Sequence, residues 1–217
     1  MSDGPAEPRT ARVKICGITR QADLEAAVAA GADALGFVFT PRSRRVLEPA
    51  VAAALVGAVP AFVSRVGLFM DQDFEEVARV LDRVPLSLLQ FHGSEDGAWC
   101  RQFGLPYIKA LALGPAGPAD ADWAERAQAE YHDAAALLLD SHAAGEAGGT
   151  GRAFDWSRVP RLSRPLVLAG GLTPDNVRAA VRRVRPWAVD VSSGVEDAPG
   201  VKNARKMQAF IREAKCE

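Results

Sequence analysis

The sequence predicts an α/β protein whose single domain is a (β/α)8 TIM barrel, and three observations lead to that prediction. Short apolar runs rich in β-branched residues alternate with alanine-rich stretches of helical period along the chain. Repeated strand–helix units require a parallel sheet, which closes as a barrel or stays open and doubly wound. Eight such runs in 217 residues fit a barrel. The first run also lacks the Gly-x-Gly-x-x-Gly turn of an open dinucleotide-binding sheet.

The elements follow one another in the order that a barrel needs. The predicted strands are the β-branched runs at residues 12–16, 34–39, 65–69, 86–91, 107–111, 136–140, 166–169 and 188–191. The predicted helices are the alanine-rich stretches at residues 21–30, 49–59, 74–84, 96–103, 121–131, 175–184 and 201–215. After the sixth strand only the short segment 154–159 has helical character. Residues 12–217 therefore form the predicted barrel, and residues 1–11, rich in Pro, Ala and acidic residues, a flexible tail.

Composition argues against several classes of partner. The formal net charge is -1, and the densest basic cluster, residues 42–45, is too short for a nucleic-acid-binding arm, so neither nucleic acid nor membrane is expected. The three cysteines share no close spacing, which favours neither a disulfide framework nor a metal site. A reducing, cytoplasmic location suits such a chain. The sequence leaves open whether it is a monomer or a homodimer.

The C-terminal ends of the strands are where barrels carry their chemistry. Strand 1 ends at Cys16 and strand 6 at Asp140, while strand 2 leads into residues 40–45 and strand 4 into His92. A cysteine at such a tip can be a nucleophile, a proton-transfer base, a metal ligand or a packed small residue. The residue type alone does not decide among these roles.

Two loops after the last strands predict a phosphate site. Strand 7 leads into Gly170 and Gly171, and strand 8 into Ser192, Ser193 and Gly194. Small residues let backbone amide groups approach an anion, and barrels frequently bind phosphate at these two loops. Either loop alone could be an ordinary turn, but two on consecutive strands favour phosphate.

The loop after Asp140 is long and rich in glycine, including Gly149. In compact domains such loops are more often lids or binding loops than spacers, so residues 141–153 are a candidate lid. The alternative is a disordered insertion. Phe154 and Trp156, large apolar residues at the end of the loop, argue against it.

Lys14 and Cys16 lie two residues apart on strand 1 and therefore share a face, which we expect to be the barrel interior. Strand 8 closes against strand 1 and would bring Asp190 beside Lys14. Because a lone buried charge is costly, we expect an interior Lys14–Asp190 ion pair whose cation favours the thiolate of Cys16. The alternative is that Lys14 extends to solvent.

Several strings along the chain together resemble one family, phosphoribosylanthranilate isomerase, from about Arg12 to the C-terminal helix. The strings are VKICGIT at 13–19, LGFVF at 35–39 with SRR at 43–45, QFHG at 90–93, LLDS at 138–141, GGTG at 148–151, FDW at 154–156, AGGL at 169–172 and VDVSSGVE at 189–196. Singly they are generic, but their order and number are specific. Two features depart from the pattern: Phe91, where the family has an aliphatic residue, and residues 141–147, which carry no signature.

The resemblance implies a cofactor-free, metal-free Amadori rearrangement in tryptophan biosynthesis. Its substrate would be N-(5-phosphoribosyl)anthranilate and its product 1-(2-carboxyphenylamino)-1-deoxyribulose 5-phosphate. By this resemblance Asp140 is the general acid, with a raised pKa, and Cys16 the general base, with a lowered one. Arg45 would bind the anthranilate carboxylate. The other implied site residues are the substrate-binding Gln90, His92 and Asp190, and the phosphate-binding Gly149, Gly170, Gly171, Ser192, Ser193 and Gly194.

Two rival functions have their own signatures. The histidine-pathway aldose–ketose isomerase uses paired carboxylates on strands 1 and 5, but here strand 1 ends in Cys16 and strand 5 has no acid at its tip. A non-catalytic barrel that binds a phosphorylated ligand would not need both Cys16 and Asp140. For His92, a structural hydrogen bond is favoured over proton transfer, because nothing adjacent in sequence orients it as a base.

Overall fold

The computed structural model describes residues 10–113, 122–140 and 155–216, and within them eight parallel strands close into a barrel in chain order. The closing pair is the first and last strand, which lie with Lys14 opposite Asp190. The predicted barrel is therefore confirmed. The strands are β1 Arg12–Cys16, β2 Ala34–Val38, β3 Ser64–Phe69, β4 Leu88–Phe91, β5 Tyr107–Ala112, β6 Ala136–Asp140, β7 Leu166–Leu168 and β8 Ala188–Val191.

Helices follow the strands around the outside of the barrel, close to the predicted positions. In the described residues they are α1 Gln21–Ala29, α2 Pro49–Gly57, α3 Phe74–Leu81, α4 Gly97–Cys100, α5 Trp123–Glu130, α6 Val177–Val184 and α7 Ala204–Lys215. A 3₁₀ turn, Arg101–Phe103, extends α4, and another, Trp156–Arg158, forms the short segment predicted after β6. No helix of these residues is long and apolar enough to cross a membrane.

The prediction of a helix over 201–215 was wrong in its first turn. A small antiparallel hairpin follows β8 instead, formed by β9 Glu196–Ala198 and β10 Val201–Lys202. Gly200 turns the chain between them with a φ of 80°, a left-handed value that glycine adopts without steric cost. The helix α7 then begins after Asn203, whose side chain accepts a hydrogen bond from the Lys206 amide at 3.0 Å.

The alternation along β1 and β8 decides what faces the barrel interior. Val13 and Ile15 pack outward against the helices, so Lys14 and Cys16 point inward, as expected from their spacing. Gly36 on β2 leaves room for them, because a Cβ there would lie 2.9 Å from Cys16 Sγ and 3.1 Å from Lys14 Nζ. A charged and reactive layer therefore lies at the mouth of an otherwise apolar barrel.

Residues 1–9 lie outside the described part of the chain, as does the candidate lid at 141–153. The division into a tail at 1–11 and a barrel at 12–217 stays a prediction, and so does the lid.

Candidate active site

A cavity of about 590 Å³ opens at the C-terminal ends of the strands. The structure brings the sequence-predicted residues together around it, although they come from six strands of the barrel. The predicted residues that line it are Cys16, Arg45, Gln90, His92, Asp140, Gly170, Gly171, Asp190, Ser192, Ser193 and Gly194. Gly149 lies outside the described residues.

Cys16 ends β1 with its side chain buried beside the predicted ion pair. Lys14 Nζ donates to Asp190 Oδ1 at 2.7 Å, and Lys14 is only 4% exposed, so the interior pair is confirmed. Burial alone would lower the pKa of Lys14, but Asp190 and then Cys16 raise it to about 12. Lys14 therefore stays cationic at neutral pH.

The expectation of a lowered pKa for Cys16 was wrong. Burial raises the pKa of the thiol above its ordinary value, and this exceeds the opposing effect of the Lys14 charge. Asp190 raises that pKa further, while Lys202 lowers it. Burial therefore destabilises the thiolate by more than the nearby cations stabilise it.

Asp140 ends β6 and lies beside His92, the residue after β4, which in turn contacts Gln90 on β4. His92 Nε2 lies 3.5 Å from Asp140 Oδ2, and His92 Nδ1 lies 3.1 Å from Gln90 Nε2. Gln90 therefore contacts the Nδ1 side of the ring, and Nε2 is the ring nitrogen that faces Asp140. Sequence reasoning did not predict that His92 and Asp140 would meet, because they follow or end strands that are not neighbours.

A buried ion pair behind this wall supports the loop after β4. Lys109 on β5, 2% exposed, donates to Glu95 Oε2 at 2.8 Å and to the Gly93 carbonyl at 2.6 Å. Glu95 in turn accepts from the amides of Asp71 at 2.8 Å and Gly93 at 2.9 Å. Sequence reasoning missed this pair, although a lysine inside an apolar strand was the available signal.

Arg45 reaches the rim of the cavity, where an acidic side chain already engages it. Its Nε and Nη2 donate to the two carboxylate oxygens of Glu196 at 2.8 and 2.6 Å, a bidentate pair. Arg45 holds the pKa of Glu196 below its ordinary value despite the opposing effect of burial, and Lys202 adds to this. Glu196 and Lys202 were not predicted as site residues, although Glu196 ends one of the family strings, and Lys202 lies in the segment predicted as a helix.

The two predicted phosphate loops lie side by side after β7 and β8. Gly170 and Gly171 have φ values of 83° and 62°, which suit glycine, and a Cβ at Gly194 would overlap the Leu172 carbonyl oxygen. Ser193–Val195 form a 3₁₀ turn whose first amides have no acceptor within the turn. The close approach of these loops requires their small residues.

Comparison with known proteins identifies the family. The model of the family described as N-(5'phosphoribosyl)anthranilate (PRA) isomerase matches residues 13–213. The chain belongs to this family. It is accordingly an isomerase of tryptophan biosynthesis, as the sequence strings implied.

Individual members of the PRA isomerase family are similar over almost the whole chain. The enzyme of Thiobacillus denitrificans is 56% identical over 206 residues, which cover 94% of this chain and 98% of the relative. The crystal structure of the Thermotoga maritima enzyme superimposes with a TM-score of 0.83 at 41% identity, covering 94% and 98% of the two chains. A PRA isomerase in complex with reduced 1-(o-carboxyphenylamino)-1-deoxyribulose 5-phosphate gives a TM-score of 0.78 at 40% identity with the same coverage.

Proposed function

We propose that the cavity binds N-(5-phosphoribosyl)anthranilate and that Asp140 and Cys16 carry out its Amadori rearrangement as general acid and general base. The observation that carries this proposal is the order of groups around one mouth. Asp140 ends β6, the two glycine- and serine-rich loops follow β7 and β8, and Cys16 ends β1. A substrate whose phosphate binds at those loops would have the acid on one side and the base on the other.

The first step opens the ribose ring. A protonated Asp140 donates its proton to the ring oxygen, the bond from that oxygen to C1 breaks, and the nitrogen lone pair forms the C1–N iminium. Asp140 lies at the end of β6, largely buried and facing the cavity, where its carboxyl group can reach the ring oxygen of a bound substrate.

The second step removes a proton from C2. The Cys16 thiolate takes it, the C2–H electrons form a C1–C2 double bond, and the iminium becomes a neutral enolamine. The resting thiol has a raised pKa, so the thiolate has to be favoured at this moment. A cationic iminium beside Sγ favours it by direct attraction. Return of a proton to C1 and loss of the C2 hydroxyl proton then give the ketose with no net change in protons.

The remaining residues would hold the substrate in place. The loops at Gly170–Gly171 and 192–194 accept the phosphate, and Arg45 binds the anthranilate carboxylate through Nη1, since Glu196 occupies its other two donor groups. The Gln90 Oε1 atom is buried with no hydrogen-bond partner in the described residues, so it can accept from a substrate hydroxyl. Asp190 lines the same cavity and offers a second acceptor.

We further propose that residues 12–217 are the catalytic domain, that the enzyme acts in the cytoplasm without a cofactor, and that it is a monomer or homodimer. A structure of Thermotoga maritima describes monomers generated from a dimeric family member, at 38% identity and a TM-score of 0.78. Light scattering on the purified chain would decide between the two states.

Single substitutions test the assignment of the acid and the base. Cys16→Ala and Asp140→Asn should each lower kcat/KM for N-(5-phosphoribosyl)anthranilate by about 10³-fold or more, the upper range for a general acid or base. Cys100→Ala and Asp133→Asn remove the same groups away from the cavity and serve as controls. Turnover within about tenfold of wild type in either site variant would show that the assigned group is wrong.

A further inference from the structure

Lys202 is a buried cation that the proposed reaction does not use. Its side chain is fully buried, and the ammonium contacts four acceptor atoms on three residues. These are the Cys16 carbonyl at 2.5 Å, Glu196 Oε1 at 2.8 Å, the Ser192 carbonyl at 3.1 Å and, at a longer 3.4 Å, the Ser192 hydroxyl. All three N–H groups of the ammonium are thereby used, so none remains for a substrate.

The backbone of Lys202 is held as firmly as its ammonium. The Lys202 amide donates to Asp23 Oδ2 at 3.1 Å. Arg20 donates to the same carboxylate through Nε at 2.9 Å and Nη2 at 2.6 Å. The hairpin of β9 and β10 therefore holds the ammonium at one fixed point beside the carbonyls of Cys16 and Ser192. That point lies between the ends of β1 and β8.

We propose that Lys202 is a positioning residue that fixes Cys16, the phosphate turn at 192–194 and, through Glu196, Arg45 relative to one another. This inference rests on the proposed function, because it takes Cys16 as the base and the turn as the phosphate site. One buried ammonium would then set the geometry of three groups that contact three different parts of the substrate.

The acceptors explain why an ammonium suits this point better than a neutral donor. The carbonyls of Cys16 and Ser192 lie at the ends of adjacent strands, and a buried carbonyl without a donor is costly. Glu196 also accepts from Arg45 Nε at 2.8 Å and from the Gly200 amide at 3.2 Å, so its charge is shared between two cations. An uncharged side chain at 202 would leave two carbonyls and a carboxylate short of donors.

The charge of Lys202 also acts on the thiol. Among the described residues, the charged groups that act on Cys16 are Lys14 on its own strand, Asp190 on β8, Lys202 on β10 and Arg45 after β2. Lys14 and Lys202 lower the pKa of Cys16, against the larger effect of burial. Loss of Lys202 should therefore raise that pKa further, which a purely structural role would not require.

The test is the substitution Lys202→Met with Cys16 alkylation as the readout. Iodoacetamide labelling of Cys16, resolved from Cys100 and Cys216 by peptide mass spectrometry, should slow about tenfold at pH 7.5 and move its pH midpoint upward, the effect of losing one nearby charge. The KM for N-(5-phosphoribosyl)anthranilate should rise by about tenfold as the phosphate turn loses its anchor. Lys109→Met is the matched control, because it removes an equally buried lysine from the opposite wall and should leave the Cys16 midpoint in place.

A labelling profile of folded Lys202→Met that coincides with wild type would overturn the proposal. If that variant does not fold, Glu196→Gln with Lys202→Met removes both charges of the pair and allows the same measurement. The same upward shift in Lys109→Met would also overturn it, since the shift would then not depend on the cation beside Cys16. Alkylation needs no turnover, so an inactive wild-type protein would refute the proposed function while leaving this result readable.

Discussion

The two walls of the cavity differ in the side chains that lie beside their reactive groups. On the wall of β8, β1 and β2, charged side chains surround the thiol: Lys14 pairs with Asp190, and the group of Lys202, Glu196 and Arg45 lies beside it. On the wall of β4 to β6, the neutral Gln90 and the ring of His92 stand next to Asp140. The ion pair of this second wall, Lys109 with Glu95, lies behind the cavity surface.

This difference follows from the two protonation states that the proposed reaction needs. A buried thiol must lose its proton to act as a base, so its wall supplies cations that offset the cost of burial. A carboxylic acid must keep its proton to act as an acid, and the side chains described beside it on this wall are those of Gln90 and His92. Each wall can be perturbed separately, which makes the comparison testable.

The largest expected effect is on stability, from the ion pair behind the acid wall. Lys109→Met leaves the Glu95 carboxylate buried without its cation and should lower the free energy of unfolding by about 3–5 kcal/mol. Chemical denaturation would measure the loss. The double variant Glu95→Gln with Lys109→Met should recover much of it, because no charge is then left unpaired. A loss below about 1 kcal/mol would mean that this pair contributes no more than an exposed one.

The next effect is on the base wall. Lys14→Met should lower kcat/KM about a hundredfold at neutral pH, since it removes the cation closest to the thiol. In the iodoacetamide assay the Cys16 midpoint should move to higher pH, and Asp190→Asn should move it to lower pH, because Asp190 raises the pKa of Cys16. Shifts of the two variants in the same direction would contradict the charge distribution of this wall.

The smallest effect is expected at His92 on the acid wall. His92→Asn keeps a polar group near Gln90 and Asp140 but removes the ring, and should lower kcat by less than about tenfold, the worth of one neutral hydrogen bond. The pH dependence of kcat should keep its shape. A loss of kcat as large as that of Asp140→Asn, together with the disappearance of one limb of the pH profile, would show that His92 carries a proton. The two walls would then not differ in the way described above.

The sequence predicted the parts of this molecule that depend on period and strand order. Alternation of strands and helices predicted the barrel, and the two-residue period of β1 with barrel closure predicted that Lys14 would meet Asp190. The family strings named the acid and base, and the structure brings both to the same cavity.

What the sequence could not predict depends on close approach in three dimensions. Lys202 reaches Cys16 only because the hairpin of β9 and β10, whose second strand lies in the segment predicted as the start of a helix, reverses the chain at Gly200. The direction of the Cys16 pKa depends on how completely the surrounding strands exclude water, which no local pattern reports. The meeting of His92 and Asp140 requires the curvature of the barrel.

Gly36 sets a limit on how such a barrel can change. The interior layer at this height has a fixed volume, and strand 2 contributes no side chain to it, so a lysine and a cysteine from strand 1 fill the space. Even one methyl group at position 36 would come within 2.9 Å of Sγ and displace the base. Substitutions at the rim of such a barrel can therefore change its specificity more readily than substitutions in this layer. Within the layer, the side chains that react are also the ones that fill the interior.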